Sequence, residues 1–571
     1  LHRIRTVENG VLVTPTMSFD ERGHRPNEMT YFVCGYDQTG EAPEDFYPTV
    51  QDFIGEGGNF ERPKAVVKNL AGVPAGSAYA GCEAVGGLHF KERILAPGET
   101  AGYTIMIGAV RKTEHAGETI LSMTAAYRTA AQTKAAYERM KTYWEQKVNV
   151  SYHTKDRQFD RYMQWVSFQP ILRRIYGCSF LPHHDYGKGG RGWRDLWQDC
   201  LALLLMNPDG VREMLLNNFQ GVRIDGTNAT IIGSKEGTFI ADRNQITRVW
   251  MDHGVWPFVT TKLYIDQTGD LAVLEEEIPY FKDQQAGRGT KKDAAWKEQD
   301  GCWQRDAAGN VYRGSVLEHL LLQNLTAFYE VGEHGHIRLR GADWNDALDM
   351  AGERGESVAG NLRELAELLA LYAEKTGKES VPLNRDLFVL LADDDTLYAS
   401  VQKKQELLTR YTDACIHEVS GQKTEVPVTE LVCSLQKKAA FLTGHICATE
   451  WVSDEEGNGW FNGYYDNHGR RVEGVFAQGV RMMLTSQVFA VMAQTATDEQ
   501  VAEIVRSADK YLYCDAMGGY RLNTDFGEVK MDLGRMFGFA YGEKENGAVF
   551  SHMAVMFANA LYKRGFVKEG H

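Results

Sequence analysis

The sequence lacks the patterns that cysteine chemistry requires. It has nine cysteines among 571 residues, all isolated along the chain, and no C-x-x-C pair. An odd number of scattered cysteines disfavours both a disulfide framework and a zinc site, and it fits a reducing compartment. We therefore expect a cytoplasmic protein that uses no metal and no structural disulfide.

Other absences exclude further classes of protein. No apolar run reaches the roughly 18 residues of a membrane-spanning helix. No basic segment followed by an apolar one marks a signal peptide. The chain also lacks a Walker A motif, a G-x-S-x-G nucleophile elbow and an H-E-x-x-H zinc motif, so the corresponding enzyme classes have no support. It begins at Leu1 without a methionine, and we expect a trimmed or incomplete chain.

The charge balance is acidic. The chain has 62 Lys and Arg against 77 Asp and Glu, a net charge of −15. This argues against binding to nucleic acid or to an anionic membrane surface. The 11 Trp and 26 Tyr are compatible with sugar binding, because flat rings stack on the C–H faces of pyranoses, although most such rings fill cores.

The hydrophobic pattern divides the chain into three parts. Residues 1–112 contain short alternating runs such as MTYFVCGY and AGYTIMIGAV, which predict strands and a β-sandwich domain. Residues 113–152 are rich in Ala, Lys, Glu and Arg with helical periodicity, which predicts a helical linker. Residues 153–571 contain many amphipathic segments that end in Gly, which predict a helical toroid or solenoid.

The stretch GGRGWRDLWQDCLALLL, residues 189–205, predicts a glycine-rich loop that opens a helix. Arg194 and Asp195 would lie in its first turn, where an acid commonly serves as a cap. The functional alternative is an Arg–Asp pair that holds sugar hydroxyls. Trp193 and Trp197 would then supply flat surfaces nearby.

The stretch GADWNDALDM, residues 341–350, places Asp343, Asp346 and Asp349 at a spacing of three around Trp344. In a helix this spacing aligns the carboxylates roughly along one edge, where like charges repel. A capped, solvated helix is one interpretation. The other makes one aspartate a general acid whose pKa is raised by burial and neighbouring carboxylates.

Two further stretches are ambiguous from the residues alone. VWMDHGVWPF, residues 249–258, could present Asp252, His253 and Trp256 to a cavity or bury them as a capped helix. FGFAYGEKENGAVFSHMAVMF, residues 537–557, ends in an apolar helix that carries His552. A lone histidine on such a helix is more often structural than functional.

Together and in this order, these stretches resemble the cellobiose phosphorylase family of inverting glycoside phosphorylases, glycoside hydrolase family 94. The resemblance covers nearly the whole chain. Within the family, GADWNDALDMA and the C-terminal stretch look most like the 1,2-β-oligoglucan (sophorose-type) phosphorylases. The shared elements are YWEQKVNV, a helix with Gln169, GWRDLWQD, DHGVW…YIDQTGD, GADWNDALD, WFNGYYDN and KENGAVFSH.

The resemblance implies an α+β multidomain fold, mainly α, in which an (α/α)6 barrel follows a β-sandwich and a helical linker. It implies Asp346 as the general acid and Trp344 at the sugar site. It implies Arg194 and Asp195 on the hydroxyls of the non-reducing-end glucose, and His552 on phosphate. The substrates would be a β-glucan oligosaccharide and inorganic phosphate, without any cofactor, and the product α-glucose 1-phosphate. A homodimer is one expected assembly.

One feature departs from the family. Its members carry a Thr-Gly pair for phosphate after the histidine helix, whereas no Thr-Gly follows position 444 here. We expect either that segments are missing or that the phosphate site is built differently. Three alternatives stay open: a phosphorylase for another linkage, a non-catalytic sugar-binding protein, and an inverting hydrolase with a base such as Asp252, Glu450 or Glu545.

Overall fold

The computed structural model describes residues 2–16, 27–148, 150–176, 191–232, 237, 239–240, 249–351, 356–357 and 362–571. The chain divides into two units, Leu1–Gly189 and Gly190–His571. The first unit combines strands with helices, and the second is mainly helical. The predicted boundaries at residues 112 and 152 stay predictions, as do the β-sandwich and the (α/α)6 barrel.

Most strands of the first unit belong to one antiparallel sheet, ordered β5-β1-β2-β3-β7. Its longest pairing joins β3 to β7, from Met29 opposite Arg111 to Asp37 opposite Tyr103, and these two strands are the runs that alternation predicts. β4 and β6 form a separate pair. The strands are β1 (His2–Val7), β2 (Gly10–Pro15), β3 (Met29–Asp37), β4 (Asp45–Thr49), β5 (Ala78–Ala80), β6 (Ala84–His89) and β7 (Tyr103–Arg111).

The helices of the first unit lie mostly after the sheet. Two short helices, α1 and α2, interrupt the predicted strand region. α4 begins with a capping box, in which Thr129 Oγ1 accepts from the Gln132 N–H at 3.3 Å and Gln132 Oε1 accepts from the Thr129 N–H at 3.0 Å. The helices are α1 (Val50–Ile54), α2 (Lys64–Val67), α3 (Ala116–Ala125), α4 (Ala130–Lys147) and α5 (Arg157–Tyr176).

The second unit is built on helices that the apolar periodicity predicts well. α6 and α7 begin and end where the pattern does, and α8 ends at Gly269 in a left-handed conformation (φ 72°), as the C-cap signal indicates. The helices are α6 (Trp193–Met206), α7 (Val211–Phe219), α8 (Val255–Thr268), α9 (Val316–Tyr329), α10 (Leu362–Thr376), α11 (Asp395–Tyr398), α12 (Val401–Ala414), α13 (Val428–Thr449), α14 (Leu484–Met492), α15 (Asp498–Tyr511), α16 (Ser551–Lys563) and α17 (Val567–Gly570).

Short paired strands connect these helices. One buried apolar core runs through the unit and includes side chains from α6, α9, α10, α13 and α14. The strands are β8 (Arg191–Gly192), β9 (Ile231–Ile232), β10 (Phe239–Ile240), β11 (Glu277–Pro279), β12 (Gln285–Ala286), β13 (Lys291–Lys292), β14 (Arg305–Asp306), β15 (Arg313–Ser315), β16 (Ile337–Arg338), β17 (Glu356–Ser357), β18 (Ser380–Asn384), β19 (Glu418–Val419), β20 (Lys423–Pro427), β21 (Trp451–Ser453), β22 (Gly459–Phe461), β23 (Tyr464–Tyr465), β24 (Gly474–Phe476), β25 (Gly479–Arg481), β26 (Tyr513–Cys514) and β27 (Gly519–Tyr520).

Two global properties follow from the described residues. None of their helices is both long enough and apolar enough to cross a membrane. No disulfide joins the cysteines within these ranges, and Cys178 lies outside them.

Candidate active site

Two buried tryptophans anchor the first turn of α6 in the core. Trp193 is 2% exposed and Trp197 is fully buried, and both belong to the core. Trp193 Nε1 donates to the His253 carbonyl at 3.0 Å. The prediction that these rings offer flat surfaces to a sugar is therefore wrong, because the apolar face of the helix turns them inward. Gly189 and Gly190, which the sequence predicts to be part of a glycine-rich loop, lie outside the described residues.

Arg194 extends from this turn to the loop of residues 341–350. One guanidinium nitrogen, Nη2, donates to Asp346 Oδ1, and the other, Nη1, donates to the Trp344 carbonyl at 2.5 Å. Nη1 also lies 3.6 Å from Asp252 Oδ2, and the guanidinium lies 5.0 Å from the centre of the Trp250 ring. The side chain is only 11% exposed. Arg194 thus joins the helix start to the predicted acid.

Asp252 is the carboxylate behind Arg194. It is buried in the turn at Met251–Gly254, where Oδ2 accepts from Trp256 Nε1 at 2.7 Å and Oδ1 has no hydrogen-bond partner among the residues that the structure describes. Burial raises the pKa of Asp252, and the Arg194 guanidinium opposes that rise. Burial alone would lower the pKa of Arg194, but the charges of Asp252 and Asp346 raise it. Arg194 therefore stays charged at the centre of the cluster.

The loop of residues 341–350 is a series of turns, and its interpretation as a helix is wrong. Asp343 Oδ1 accepts from the Asn345 N–H at 2.8 Å, and Asn345 Oδ1 accepts from the Ala347 N–H at 3.1 Å. These side chains offer the backbone a partner that competes with helical bonding. At the other end, the Ala347 carbonyl accepts from the Met536 N–H at 3.1 Å. The loop is consequently held by its own side chains and by a distant segment.

The three aspartates of the loop have three different environments. Asp343 is fully buried, and its Oδ2 accepts from the Tyr464 hydroxyl at 2.6 Å. The Asp346 side chain is 39% exposed and meets Arg194. Asp349 is bound by Arg535, whose Nη1 donates to Oδ2 at 2.5 Å. Among the three, Asp346 combines solvent access with the Arg194 contact, and its role as the acid stays a prediction.

The burial of Asp343 shifts the pKa of its carboxyl group. Burial raises its pKa to about 6, the negative charge of Asp252 adds to the rise, and the Tyr464 hydroxyl opposes it. The Asp343 carboxylate therefore titrates close to neutral pH. The sequence predicts a pKa raised by burial and neighbouring carboxylates for the general acid. The structure shows such a rise for Asp343, which orders the loop.

Trp344 and His552 form the second half of the site. Trp344 Nε1 donates to His552 Nδ1 at 2.9 Å, and the two rings lie 22° apart with centres separated by 5.7 Å. Trp344 is 8% exposed, whereas His552, the second residue of α16, is exposed. The structure thus brings the D-W-N-D loop against the histidine helix.

Asn523 positions the turn that leads into α16. Its side chain is buried, its Oδ1 accepts from the Gly547 N–H at 2.8 Å, and its Nδ2 donates to Asn546 Oδ1 at 3.2 Å. The Asn546 side chain in turn donates to the Phe539 carbonyl at 2.9 Å. No local signal in the sequence identifies Asn523, because the turn that it holds, at Asn546 and Gly547, lies more than twenty residues away.

The chain was compared with known proteins. The family model described as the glycosyl hydrolase 94 superfamily, catalytic domain, matches residues 143–291 and 417–566, which together are just over half of the chain. The chain belongs to the glycosyl hydrolase 94 superfamily. Both matched segments contain parts of the site, since the first carries Arg194 and Asp252 and the second carries Tyr464 and His552.

Curated relatives of this glycosyl hydrolase 94 member are distant. It is 24% identical to solabiose phosphorylase of Paenibacillus borealis over 92% of the chain and 55% of the relative. It is 23% identical to N,N'-diacetylchitobiose phosphorylase of Vibrio furnissii over 91% of the chain and 56% of the relative. Cyclic beta-(1,2)-glucan synthase NdvB of Rhizobium meliloti (strain 1021) is 28% identical over 39% of the chain and 7% of the relative. The chain spans about half the length of the two phosphorylases.

Asp195 follows Arg194 in the glycosyl hydrolase 94 site. It lies in the first turn of α6, and its charge contributes to the raised pKa of Arg194. A Cβ placed on Gly192, the N-cap residue, would come 2.7 Å from Asp195 Oδ2. The carboxylate therefore lies close to the helix start, where the N-cap residue itself is Gly192. Its role toward sugar hydroxyls stays a prediction.

Glu450 lies in a separate polar cluster. It is fully buried, Oε1 lies 2.8 Å from His336 Nε2 and accepts from the Tyr465 hydroxyl at 3.0 Å, and Oε2 accepts from Asn462 Nδ2 at 2.6 Å. Burial would raise its pKa, but these hydrogen bonds, the one with His336 foremost, lower it to about 2. The carboxylate is ionised and fully engaged with protein groups.

Proposed function

We propose that this chain catalyses the inverting phosphorolysis of β-1,2-linked gluco-oligosaccharides, and that it releases α-D-glucose 1-phosphate. The observation that carries the proposal is the connected set Asp346–Arg194–Trp344–His552. It combines one accessible carboxyl group with a cation and an exposed imidazole. Membership of the glycosyl hydrolase 94 superfamily and the names of the phosphorylase relatives support the same reaction class.

In the proposed reaction Asp346 protonates the glycosidic oxygen while phosphate attacks C1 from the opposite face of the sugar. The C1–O bond to the leaving sugar breaks as the C1–O bond to phosphate forms, which inverts the anomeric centre. Phosphate is already an anionic nucleophile and requires no base. It requires donors that hold it in line with the reacting bond. A site with one accessible acid suits this reaction.

His552 would contact the phosphate. It stands in the first turn of α16, a helix of 13 residues whose N-cap residue, Phe550, has no side-chain acceptor. The first N–H groups of a helix lack intrahelical partners and, with the helix dipole, favour an anion. Arg194 and Asp195 would hold hydroxyls of the non-reducing-end glucose, and Trp344 would border that sugar.

The burial of the other carboxylates favours phosphate over water as the nucleophile. An inverting hydrolase needs an ionised carboxylate that faces a water across the sugar. Asp252 is buried behind Arg194 with a raised pKa, and Glu450 is saturated by protein donors. Neither is suited to activate a mobile water. Glu545 is partly exposed and stays the base that the alternative, a β-glucan hydrolase, would use.

The linkage is the least constrained part of the proposal. GADWNDALDMA resembles the 1,2-β-oligoglucan phosphorylases, and NdvB, named for a β-(1,2)-glucan, matches part of the chain. The runners-up are phosphorylases of cellobiose or cellodextrin and of laminaribiose. We further propose a β-sandwich domain over residues 1–112, a helical linker over residues 113–152 and an (α/α)6 barrel over residues 153–571. The reaction would take place in the cytoplasm, with inorganic phosphate as co-substrate and no cofactor.

The linkage is tested in the synthetic direction. The protein is incubated with glucose 1-phosphate and, separately, with glucose, sophorose, cellobiose and laminaribiose, and phosphate release is measured. We expect release with glucose and sophorose and β-1,2-linked products. Phosphate release only with cellobiose or laminaribiose would replace the proposed β-1,2 linkage by that of the acceptor used. Free sugar formed from the glucan at equal rates with and without phosphate would replace phosphorolysis by hydrolysis.

The acid is tested by Asp346→Asn, with Asp349→Asn on the same loop as the matched control. We expect Asp346→Asn to lower kcat by about a hundredfold or more, with an unchanged melting temperature. His552→Ala should raise the KM for phosphate more than the KM for the glucan. A fully active Asp346→Asn enzyme would refute the assignment of the acid.

A further inference from the structure

The contact between Trp344 and His552 determines where the imidazole carries its proton. An indole Nε1–H can only donate a hydrogen bond. Trp344 Nε1 lies 2.9 Å from His552 Nδ1, so Nδ1 must be the acceptor and carry no hydrogen. The proton of the neutral ring is then on Nε2.

We propose that Trp344 is a positioning residue that holds His552 in its Nε2–H tautomer, so that Nε2 donates a hydrogen bond to the phosphate. This deepens the role of the same site and rests on the proposed function. The assignment gives Trp344 a task distinct from bordering the sugar. It also gives His552 a directional donor instead of a charge, because an imidazolium would bring two N–H groups face to face.

Burial holds the Trp344 ring in a fixed position beside the exposed His552. The indole is 8% exposed, and the Phe550 ring packs edge-on against it at 5.5 Å and 86°. Its backbone carbonyl accepts from Arg194 at 2.5 Å. The indole N–H therefore has little freedom to point elsewhere. An exposed histidine without such a donor would sample both tautomers, and only one of them places N–H on Nε2.

The same residue connects the two halves of the reaction. The Trp344 peptide is bound by the arginine that contacts Asp346, and the Trp344 ring is bound to the histidine that would contact phosphate. A shift of the loop would consequently displace the acid and change the phosphate donor together. Trp344 is thus the point at which the acid and the phosphate site share one support.

The test variant is Trp344→Phe, which keeps an aromatic ring and removes the N–H. Trp451→Phe, in the same unit but outside the site, is the matched control. We expect Trp344→Phe to raise the KM for phosphate about three- to tenfold, the loss of roughly one neutral hydrogen bond. The KM for phosphate should rise by a larger factor than the KM for the glucan, whose sugar the aromatic ring of the variant would still border. In Trp344→Phe/His552→Ala the phosphate effect should equal that of His552→Ala alone, since the two residues act through one contact.

The tautomer is read directly in protein labelled with 15N-histidine, from long-range 1H–15N correlations of the imidazole. The His552 signals are assigned by their loss in His552→Ala. We expect Nε2–H in the wild type and a mixture of tautomers in Trp344→Phe. A wild-type ring with its hydrogen on Nδ1, or a variant with unchanged tautomer and unchanged phosphate KM, would overturn the proposal.

The two readouts separate this proposal from the proposed function. If the wild type releases no phosphate with any acceptor, the phosphorylase assignment fails, and the tautomer is still decided by the spectrum. If the wild type is active and Trp344→Phe raises only the glucan KM, the reaction stands and the role of Trp344 in setting the tautomer fails.

Discussion

Replacement of Asp343 by asparagine should change how the stability of the second unit depends on pH. Asp343 is fully buried and its pKa is raised to about 6, first by burial and then by the charge of Asp252. Asparagine has nearly the same shape. Its Oδ1 can still accept from the Asn345 N–H, and its Nδ2 can donate to the Tyr464 hydroxyl oxygen, which is the donor in the wild type. The substitution therefore removes a titration while it retains the loop.

The magnitude follows from linkage. The folded pKa of about 6 lies above the ordinary value of 3.8, so the folded protein binds the proton more tightly than the unfolded chain does. The ionised carboxylate then costs about 3 kcal/mol above pH 6 and nothing well below pH 3.8. About 1.4 kcal/mol of that cost develops between about pH 5 and 7.5. Wild-type stability should fall over this range relative to Asp343→Asn.

The assay is the melting temperature of wild type and variants across this pH range. At about 2.1 cal/mol/K per residue for the Gly190–His571 unit, about 1.4 kcal/mol corresponds to about 2 °C. Asp343→Asn should gain this amount relative to wild type between about pH 5 and 7.5. Asp349→Asn, on the same loop, controls for the loss of a carboxylate.

Tyr464→Phe provides the opposite perturbation. It removes the hydroxyl that lowers the Asp343 pKa, so the pKa should rise further and the stability of the variant should fall more steeply toward neutral pH than that of the wild type. If the melting temperatures of wild type, Asp343→Asn and Tyr464→Phe changed with pH in parallel, the reasoning would be refuted. Asp343 would then not titrate in this range.

Three further predictions concern the supports of the site. A Cβ at Gly534 would lie 1.9 Å from the Ala347 carbonyl oxygen. Gly534→Ala should therefore destabilise the fold by about 3 kcal/mol or more and abolish activity. The control, Gly538→Ala, places its Cβ in open space and should have the melting temperature of the wild type. Asn523→Ala should lower stability by about 1–3 kcal/mol and raise the phosphate KM, because it leaves the turn before α16 without its buried partner; an unchanged KM in steady-state kinetics would remove Asn523 from the site. Glu450→Gln should lower the melting temperature at pH 7, and its difference from wild type should shrink as the pH falls toward about 2. The kcat of the folded variant should stay close to that of the wild type. A loss of kcat without a loss of stability would support the hydrolase alternative.

The parts of the fold that the sequence predicts are those decided by local patterns. The alternation in residues 29–36 and 101–110 predicts β3 and β7, and the apolar period predicts α6, α7 and α8, the last with a glycine at its C-terminal end. Both signals arise within one element, from the repeat of its own side chains. The packing of one helix against another depends on contacts between residues far apart in the chain, and no local pattern encodes them.

The loop of residues 341–350 shows why the site was harder to predict. Its spacing of aspartates imitates a helix face, but each carboxylate is satisfied by a residue far away in the chain, Tyr464, Arg194 or Arg535. Tertiary partners of this kind override local propensity. The family resemblance, and not the spacing, assigns the role of general acid to Asp346. The geometry that distinguishes Asp346 from Asp343 and Asp349 depends on those three partners.

The division of labour among these aspartates argues for a single acid. Two carboxylates that flank a sugar would each need an open face toward the substrate. Here Asp343 uses its oxygens to shape the loop, and Asp349 uses its oxygens on Arg535. The Asp346 side chain is 39% exposed and is held from one side by Arg194, whereas the Asp349 side chain is 29% exposed and is paired with Arg535. The proposed phosphorolysis needs only this one acid, because phosphate enters as an anion, whereas hydrolysis would need a base from outside the loop, such as Glu545.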